Sequence, residues 1–175
     1  MTERIIIAGA GGQGIMLLGK VLAEAAMKEG KFVTWLPAYG AEVRGGTSHC
    51  MLVISDEEIG SPYVSKADTL IIMNSPSLEK FKGRLAAGGL LVLNSSLAKP
   101  EKQGKVKIIQ HPFSDKAIEM GNIKIANMIA LGCYVGLRKS VSIKNVLGVI
   151  EDIAPKGKKD LVLINQEALK KGVAL

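Results

Sequence analysis

The feature that most constrains the fold is an apolar run near the amino terminus that breaks into a glycine-rich turn. Residues 4–8 read Arg-Ile-Ile-Ile-Ala, and Gly9, Gly11 and Gly14 follow with the spacing G-x-G-x-x-G. A β-branched run of this kind is typical of a parallel strand that is buried on both faces. Glycines permit positive φ and a close approach of a ligand to the backbone, and the helix start that follows favours an anion. The sequence therefore predicts a strand, a turn and a helix that together can bind phosphate or carboxylate.

Apolar periodicity extends this unit into a single α/β domain over residues 1–175. The first helix is predicted to stop at Gly30, and a second strand over residues 31–36 is closed by Pro37. Together with the first strand they form a predicted right-handed βαβ crossover. Further strands are predicted at 48–55, 67–73, 90–93 and 106–109, and helices from 74 with an apolar stripe through Leu85, then at 112–119, 125–137, 143–153 (with Ser142 as N-cap) and 161–171. We expect a mostly parallel open sheet with helices on both faces and the first strand in a central position.

Composition narrows the class of partner and the compartment. The net charge is +7, yet there is no aromatic interleaving, zinc-finger spacing or basic arm, so we expect no nucleic-acid partner. The two cysteines, Cys50 and Cys133, are expected to be buried free thiols, and they cannot supply a four-cysteine iron–sulfur site. We expect no signal peptide, no membrane association and a cytoplasmic location, because no apolar run reaches membrane-spanning length.

The glycine turn alone leaves three interpretations open. Dinucleotide binding requires an acid about 20 positions on, at the end of the second strand. That strand ends in Trp35-Leu36-Pro37, and the first acid, Glu42, lies inside the next loop. A different anionic ligand and a purely structural tight turn are the other two interpretations.

A second loop, residues 39–47, adds a cation to this edge of the predicted sheet. It contains Arg44 beside Gly45 and Gly46, followed by the hydroxyl of Thr47. The planar guanidinium of arginine suits carboxylates and phosphates. We expect Gly12, Gln13 and Arg44 to lie on one rim of a single pocket, and the alternative is a surface loop whose arginine pairs with an acid. No catalytic or metal-binding set of residues is predicted.

Several motifs in order give the chain its resemblance to a known family. Residues 9–15, 39–47, 54–62, 73–78 and 127–132 resemble the gamma subunit of 2-oxoacid:ferredoxin oxidoreductases, most of all the 2-oxoglutarate type. The indolepyruvate and branched-chain types share the glycine turn and the Arg-Gly-Gly signature, and a pyruvate-type subunit is a further alternative.

The resemblance implies a subunit that works beside alpha, beta and ferredoxin-like subunits. Such a complex decarboxylates a 2-oxoacid on thiamine diphosphate, sends electrons through iron–sulfur clusters to ferredoxin and releases an acyl-CoA. By this resemblance the thiamine and the clusters belong to the other subunits, and the isolated chain is inactive, exposes an apolar interface and self-associates. Coenzyme A is expected to be bound by residues of the two loops, namely Gly11, Gly12, Gln13, Gly14, Arg44, Gly45, Gly46 and Thr47. A purely structural subunit without a ligand is the alternative.

Overall fold

A six-stranded mixed sheet forms the centre of the protein. The computed structural model describes residues 1–38, 47–100 and 104–175. The strands are β1 (Thr2–Ala10), β2 (Phe32–Ala38), β3 (Thr47–Ser55), β4 (Ala67–Ile72), β5 (Leu85–Asn94) and β6 (Lys107–His111), in the spatial order β2-β3-β1-β4-β5-β6. Among these described strands only β3 runs antiparallel to its neighbours. The predicted mostly parallel α/β sheet with an interior first strand is therefore confirmed.

The predicted βαβ crossover differs from the structure in one respect. β2 runs parallel to β1, but β3 lies between them and pairs with both. The chain leaves β2 at the edge of the sheet and returns along β3, which fills the gap that the crossover leaves open. The two parallel strands of the crossover are consequently not neighbours, and β3 separates the carboxyl end of β2 from the glycine turn.

Helices cover both faces of the sheet, unequally. They are α1 (Ile15–Lys28), α2 (Ser75–Phe81), α3 (Phe113–Glu119), α4 (Ala126–Arg138), α5 (Ile143–Asp152) and α6 (Lys159–Val173), with short 3₁₀ turns at Lys82–Arg84 and Ile123–Ile125. Ile5 and Ile7 of β1 pack with residues of α1, α3, α4, α5 and α6, whereas Ile6 and Ala8 pack on the opposite face with α2. β1 is therefore buried on both faces, as its unbroken apolar sequence predicts. No helix in the described part of the chain is both long and apolar enough to cross a bilayer.

Helix boundaries follow the capping residues where these exist. Asn74 and Ser142 accept hydrogen bonds from backbone N–H groups in the first turns of α2 and α5, as predicted for Ser142. The assignment of Leu85 to a helical stripe was wrong, because α2 ends at Phe81 and Leu85 begins β5. Gly88 lies within β5 with φ of +77°, where the pairing with β4 changes register, so this strand begins earlier than the predicted 90–93.

Two glycines bring α4 and α6 into close contact. A Cβ atom on Gly132 of α4 would lie 2.1 Å from the carbonyl oxygen of Leu169, and one on Gly172 of α6 would lie 2.0 Å from that of Ile129. Only glycine permits this separation of the two helix backbones. The contact fixes α4 across the sheet, so that its first turn reaches the glycine turn after β1.

Candidate functional site

The connections of the sheet change direction between the carboxyl ends of β1 and β4. α1 leads from β1 towards the β2 side of the sheet, whereas α2 leads from β4 towards β5. The two helices lie on opposite faces. Ligands of open α/β sheets bind at such a switch in the direction of the connections. The glycine turn, residues 9–14, lies at this switch point, at the carboxyl end of β1.

The side chain of Gln13 links the glycine turn to the residue that follows β4. Its Oε1 accepts a hydrogen bond of 2.7 Å from the backbone N–H of Ala10, and its Nε2 donates to the carbonyl of Met73 at 3.4 Å. The amide thus takes the place of a peptide group between β1 and the end of β4. The side-chain amide of Gln13 is therefore bonded within the protein, and its predicted role in binding a ligand stays a prediction.

The glycines of the turn divide into a packed pair and an open pair. A Cβ on Gly9 would lie 2.6 Å from Gln13 Oε1, and one on Gly14 would lie 2.3 Å from Nδ2 of Asn127. Gly11 and Gly12 are exposed, and a Cβ on either would meet no atom of the described residues within 4 Å. Gly12 has a φ of +87°, which disfavours any L side chain. The outer surface of the turn is therefore bare backbone that a ligand can approach.

Asn127 joins the turn to α4 and was missed as a site residue by the sequence analysis. It is 1% exposed, and its Nδ2 donates to the carbonyl of Gly14 at 3.1 Å. Its Oδ1 accepts from the backbone N–H of Met128 at 2.9 Å. The available signal was an amide residue inside the otherwise apolar segment that forms α4.

No side chain of the described residues caps the amino terminus of α1. Gly14 occupies the N-cap position in the left-handed conformation and offers no side-chain cap, and the first turn contains no acidic residue. The carbonyl of Gly14 accepts the first helical bond, from Leu18 at 3.0 Å. The N–H groups of residues 15–17, which precede Leu18 in the first turn, have no partner within the helix and carry the positive end of the helix dipole.

Thr47 and Lys80 stand beside the turn on the face covered by α2. Thr47 pairs with Ala10 across β3 and β1, which places this predicted site residue next to the glycine turn. Lys80 Nζ donates to Thr47 Oγ1 at 2.8 Å. Lys80 was not predicted from the sequence as a site residue, because only the strand pairing brings α2 to the start of β3. Arg44, Gly45 and Gly46 lie outside the described residues, so their predicted role stays a prediction.

His49 lies on the same face, where its surroundings disfavour a positive charge on its ring. It pairs with Ala8 of β1, and its ring centroid lies 4.8 Å from that of Phe81. Burial, together with the positive charges of Lys80 and Arg84, lowers the pKa of His49 below its usual value. Lys80 therefore supplies positive charge at this edge when His49 is neutral.

The cysteines do not form a metal site. Cys50 and Cys133 are free and buried, and burial raises the pKa of each thiol to about 11. Within residues 1–38, 47–100 and 104–175 no group of three or more potential ligands is placed to hold a metal ion. These cysteines consequently do not fit an iron–sulfur cluster.

The position of β2 gives a second physical argument against dinucleotide binding of the usual kind. That mode places an acid at the end of the strand next to β1. Here β3 occupies that place, and the end of β2 lies two strand spacings away, or about 10 Å. β2 also ends in Pro37 and Ala38, which are not acidic.

A comparison with protein families identifies the class of protein to which this chain belongs. Residues 4–175 match the family described as Pyruvate ferredoxin/flavodoxin oxidoreductase, and the chain belongs to this family. The 2-oxoglutarate synthase subunit KorC of Methanocaldococcus jannaschii is 33% identical over 168 residues, which cover 94% of this chain and 90% of KorC. The ketoisovalerate oxidoreductase subunit VorA of Methanothermobacter marburgensis is 42% identical over 134 residues, or 77% of this chain. The match spans only 28% of the length of VorA.

Solved structures agree with this assignment. The gamma subunit of a keto/oxoacid ferredoxin oxidoreductase from Geobacter sulfurreducens superposes with a TM-score of 0.85 at 29% identity, covering 98% of this chain and 96% of that subunit. The 2-oxoglutarate:ferredoxin oxidoreductase from Magnetococcus marinus, with 2-oxoglutarate, coenzyme A and succinyl-CoA bound, gives 0.91 at 27% identity. There the match covers 99% of this chain and 30% of the longer one. The resemblance to gamma subunits seen in the motifs is confirmed.

Proposed function

We propose that this chain is the gamma-type subunit of a multi-subunit 2-oxoacid:ferredoxin oxidoreductase, in which it contributes to coenzyme A binding and to assembly. The observation that carries the proposal is the open turn at Gly11 and Gly12, which leads into the uncapped amino terminus of α1. Lys80, which donates a hydrogen bond to Thr47, adds a positive charge beside this turn.

The chemistry of coenzyme A fits this edge of the sheet. Its pyrophosphate and ribose phosphate are anions that accept several hydrogen bonds at once. Backbone N–H groups at a helix start and a nearby cation are the usual protein groups that bind such anions. Arg44 would add a planar donor pair if its loop folds over the turn. The M. marinus relative supports the proposal, because its structure holds coenzyme A and succinyl-CoA.

The other cofactors are assigned to partner subunits. Thiamine diphosphate and the iron–sulfur clusters would reside in the alpha, beta and ferredoxin-like subunits, and ferredoxin would accept the electrons. The two buried cysteines of this chain, with pKa values of about 11, support that division. On this account the chain binds and orients coenzyme A while decarboxylation occurs elsewhere in the complex.

We propose 2-oxoglutarate as the substrate of the complex. The match with KorC extends over nearly the full length of both chains, which supports this choice. A branched-chain 2-oxoacid is the second candidate, favoured by the higher identity to VorA over a shorter segment. Assaying the assembled enzyme with 2-oxoglutarate and with 2-ketoisovalerate distinguishes the two.

The coenzyme A role is tested by substituting the two cations in the assembled enzyme. Loss of a hydrogen bond to a charged group costs about 1.5–3 kcal/mol, so Lys80→Gln and Arg44→Ala should each raise KM for coenzyme A roughly 10- to 150-fold. Lys116→Gln, on α3, is the matched control and should leave KM unchanged. If Arg44 instead serves a subunit interface, Arg44→Ala will weaken assembly and lower every partial reaction together. Unchanged KM in an intact complex for both variants would refute the coenzyme A role.

A further inference from the structure

The outer edge of β2 has the properties of a strand that pairs with another chain. β2 is the terminal strand of the sheet, and on the described residues no strand pairs with its outer side. Residues 32–36, which we call the β2 edge, read Phe-Val-Thr-Trp-Leu and contain no charge. Proteins normally protect free edges with charged residues, prolines or bulges, and of these β2 carries only Pro37, which lies beyond the β2 edge. The opposite edge strand, β6, begins with Lys107.

The register of the sheet shows which backbone groups of β2 point outward. Neighbouring residues of a strand direct their N–H and C=O groups to opposite sides. The carbonyl of Ala8 accepts from the N–H of Met73 beyond β4, so Ala8 faces β4 and Ile7 faces β3. Ile7 is paired with Cys50, which therefore faces β1 and turns away from its β2 partner, Pro37. Pro37 must accordingly point to the outer edge, which suits a residue without an N–H.

Alternation then fixes the outward groups of the β2 edge. Val33 and Trp35 share the orientation of Pro37, so their N–H and C=O groups face away from the sheet. The two residues are placed symmetrically about Thr34. In an antiparallel pairing centred on Thr34, Val33 of one chain lies opposite Trp35 of the other, and the reverse holds by symmetry. Each pair exchanges two backbone hydrogen bonds. The ladder ends where Pro37 lacks a donor.

We propose that the occupant of this edge is a second copy of the chain, paired β2 to β2 about a two-fold axis. The free edge is self-complementary, as a two-fold interface requires. In this register Phe32, which is 46% exposed, lies opposite Leu36 of the second copy, which is 37% exposed. Aromatic and aliphatic side chains stabilise such cross-strand pairs. The absence of charge removes like-charge repulsion at the axis, and two sheets of six strands become one of twelve.

The proposed register can be tested with charged variants of the 175-residue chain, whose dimer Kd is measured by sedimentation equilibrium. The wild type should show a concentration-dependent equilibrium between monomer and dimer. The double variant Phe32→Lys/Leu36→Lys places like charges opposite each other and should raise the dimer Kd at least tenfold. The matched variant Phe32→Lys/Leu36→Glu places opposite charges together and should dimerise more tightly than the double-lysine variant. A monomeric wild type, or equal Kd values for the two variants, would overturn the proposal.

Hydrogen exchange separates edge pairing from contact through side chains alone. In the dimer the amides of Val33 and Trp35 should be protected, and dilution or the double-lysine variant should remove that protection. The amides of Thr34 and Leu36 point towards β3 and should keep their protection throughout, which also verifies that the variants are folded. A dimer in which Val33 and Trp35 exchange as fast as in the monomer would contradict the pairing.

Discussion

Substituting Gly14 by alanine probes the contact that joins the glycine turn to α4. The alanine would have to adopt the native φ of +71°, and this left-handed conformation costs about 1–2 kcal/mol for an L residue. Its Cβ would also lie 2.3 Å from Asn127 Nδ2, so the buried amide must move and lose its hydrogen bond to the Gly14 carbonyl. A buried polar group left unpaired costs about 1–3 kcal/mol. We therefore expect Gly14→Ala to lower the free energy of unfolding by about 2–5 kcal/mol.

A double-mutant cycle separates the two contributions. In an Asn127→Ala background the remaining neighbour is the Cβ of residue 127, at 3.6 Å, which is an ordinary contact distance. Gly14→Ala should then cost only the backbone contribution of about 1–2 kcal/mol, which leaves a coupling of about 1–3 kcal/mol. Gly12→Ala is the matched control, because φ is +87° but no atom of the described part of the chain lies within 4 Å of the added Cβ.

Urea denaturation of the four cycle members and the control, followed by circular dichroism, provides the free energies. Equal costs for Gly14→Ala in the wild-type and Asn127→Ala backgrounds would refute the argued contact. So would a cost no greater than that of Gly12→Ala. Either result would mean that the turn and α4 adjust without losing the buried hydrogen bond.

Four further predictions concern close contacts, burial and titration. Gly132→Ala should destabilise the fold by about 1–3 kcal/mol or more because the added Cβ meets a carbonyl of α6. Gly148→Ala in α5, with its nearest atom at 3.8 Å, should stabilise it by up to about 1 kcal/mol in the same denaturation assay. The pKa of His49 is lowered by folding, so the unfolded state binds its proton first. Stability should therefore fall as pH drops below about 6.5, and less so in His49→Gln, by denaturation at pH 7 and pH 5. Cys50 and Cys133, with pKa values of about 11, should resist iodoacetamide at pH 8 until the chain is unfolded, and rapid native labelling would contradict their burial.

Local sequence signals predicted those parts of the fold that local physics determines. The β-branched run, the glycine spacing and the capping residue Ser142 each specify a strand, a turn or a helix start within a few residues. The end of α2 could not be seen in this way, since the apolar spacing continues through Leu85 after the helix has ended. A spacing pattern alone does not distinguish a helical residue from the first buried residue of a strand.

The contacts that build the candidate site depend on the order of the strands. Gln13 reaches the end of β4 and Lys80 reaches Thr47 only because β1 lies between β3 and β4. Asn127 lies 113 residues from Gly14 and meets it through the packing of α4 across the sheet. The sequence pattern predicted a turn open to an anion, whereas these supporting contacts required the three-dimensional arrangement.

Coenzyme A binding at the glycine turn is tested by comparing two reactions of one enzyme preparation. In the assembled complex Gly12→Val adds a side chain to the open surface of the turn. Gly157→Val is the matched control, because Gly157 also has a positive φ, of +81°, and no atom of the described residues within 4 Å of an added Cβ, but lies before α6. We expect Gly12→Val to raise KM for coenzyme A while coenzyme A-independent decarboxylation of the 2-oxoacid stays nearly intact, and Gly157→Val to change neither. An unchanged KM for coenzyme A in an intact Gly12→Val complex would refute coenzyme A binding at the turn.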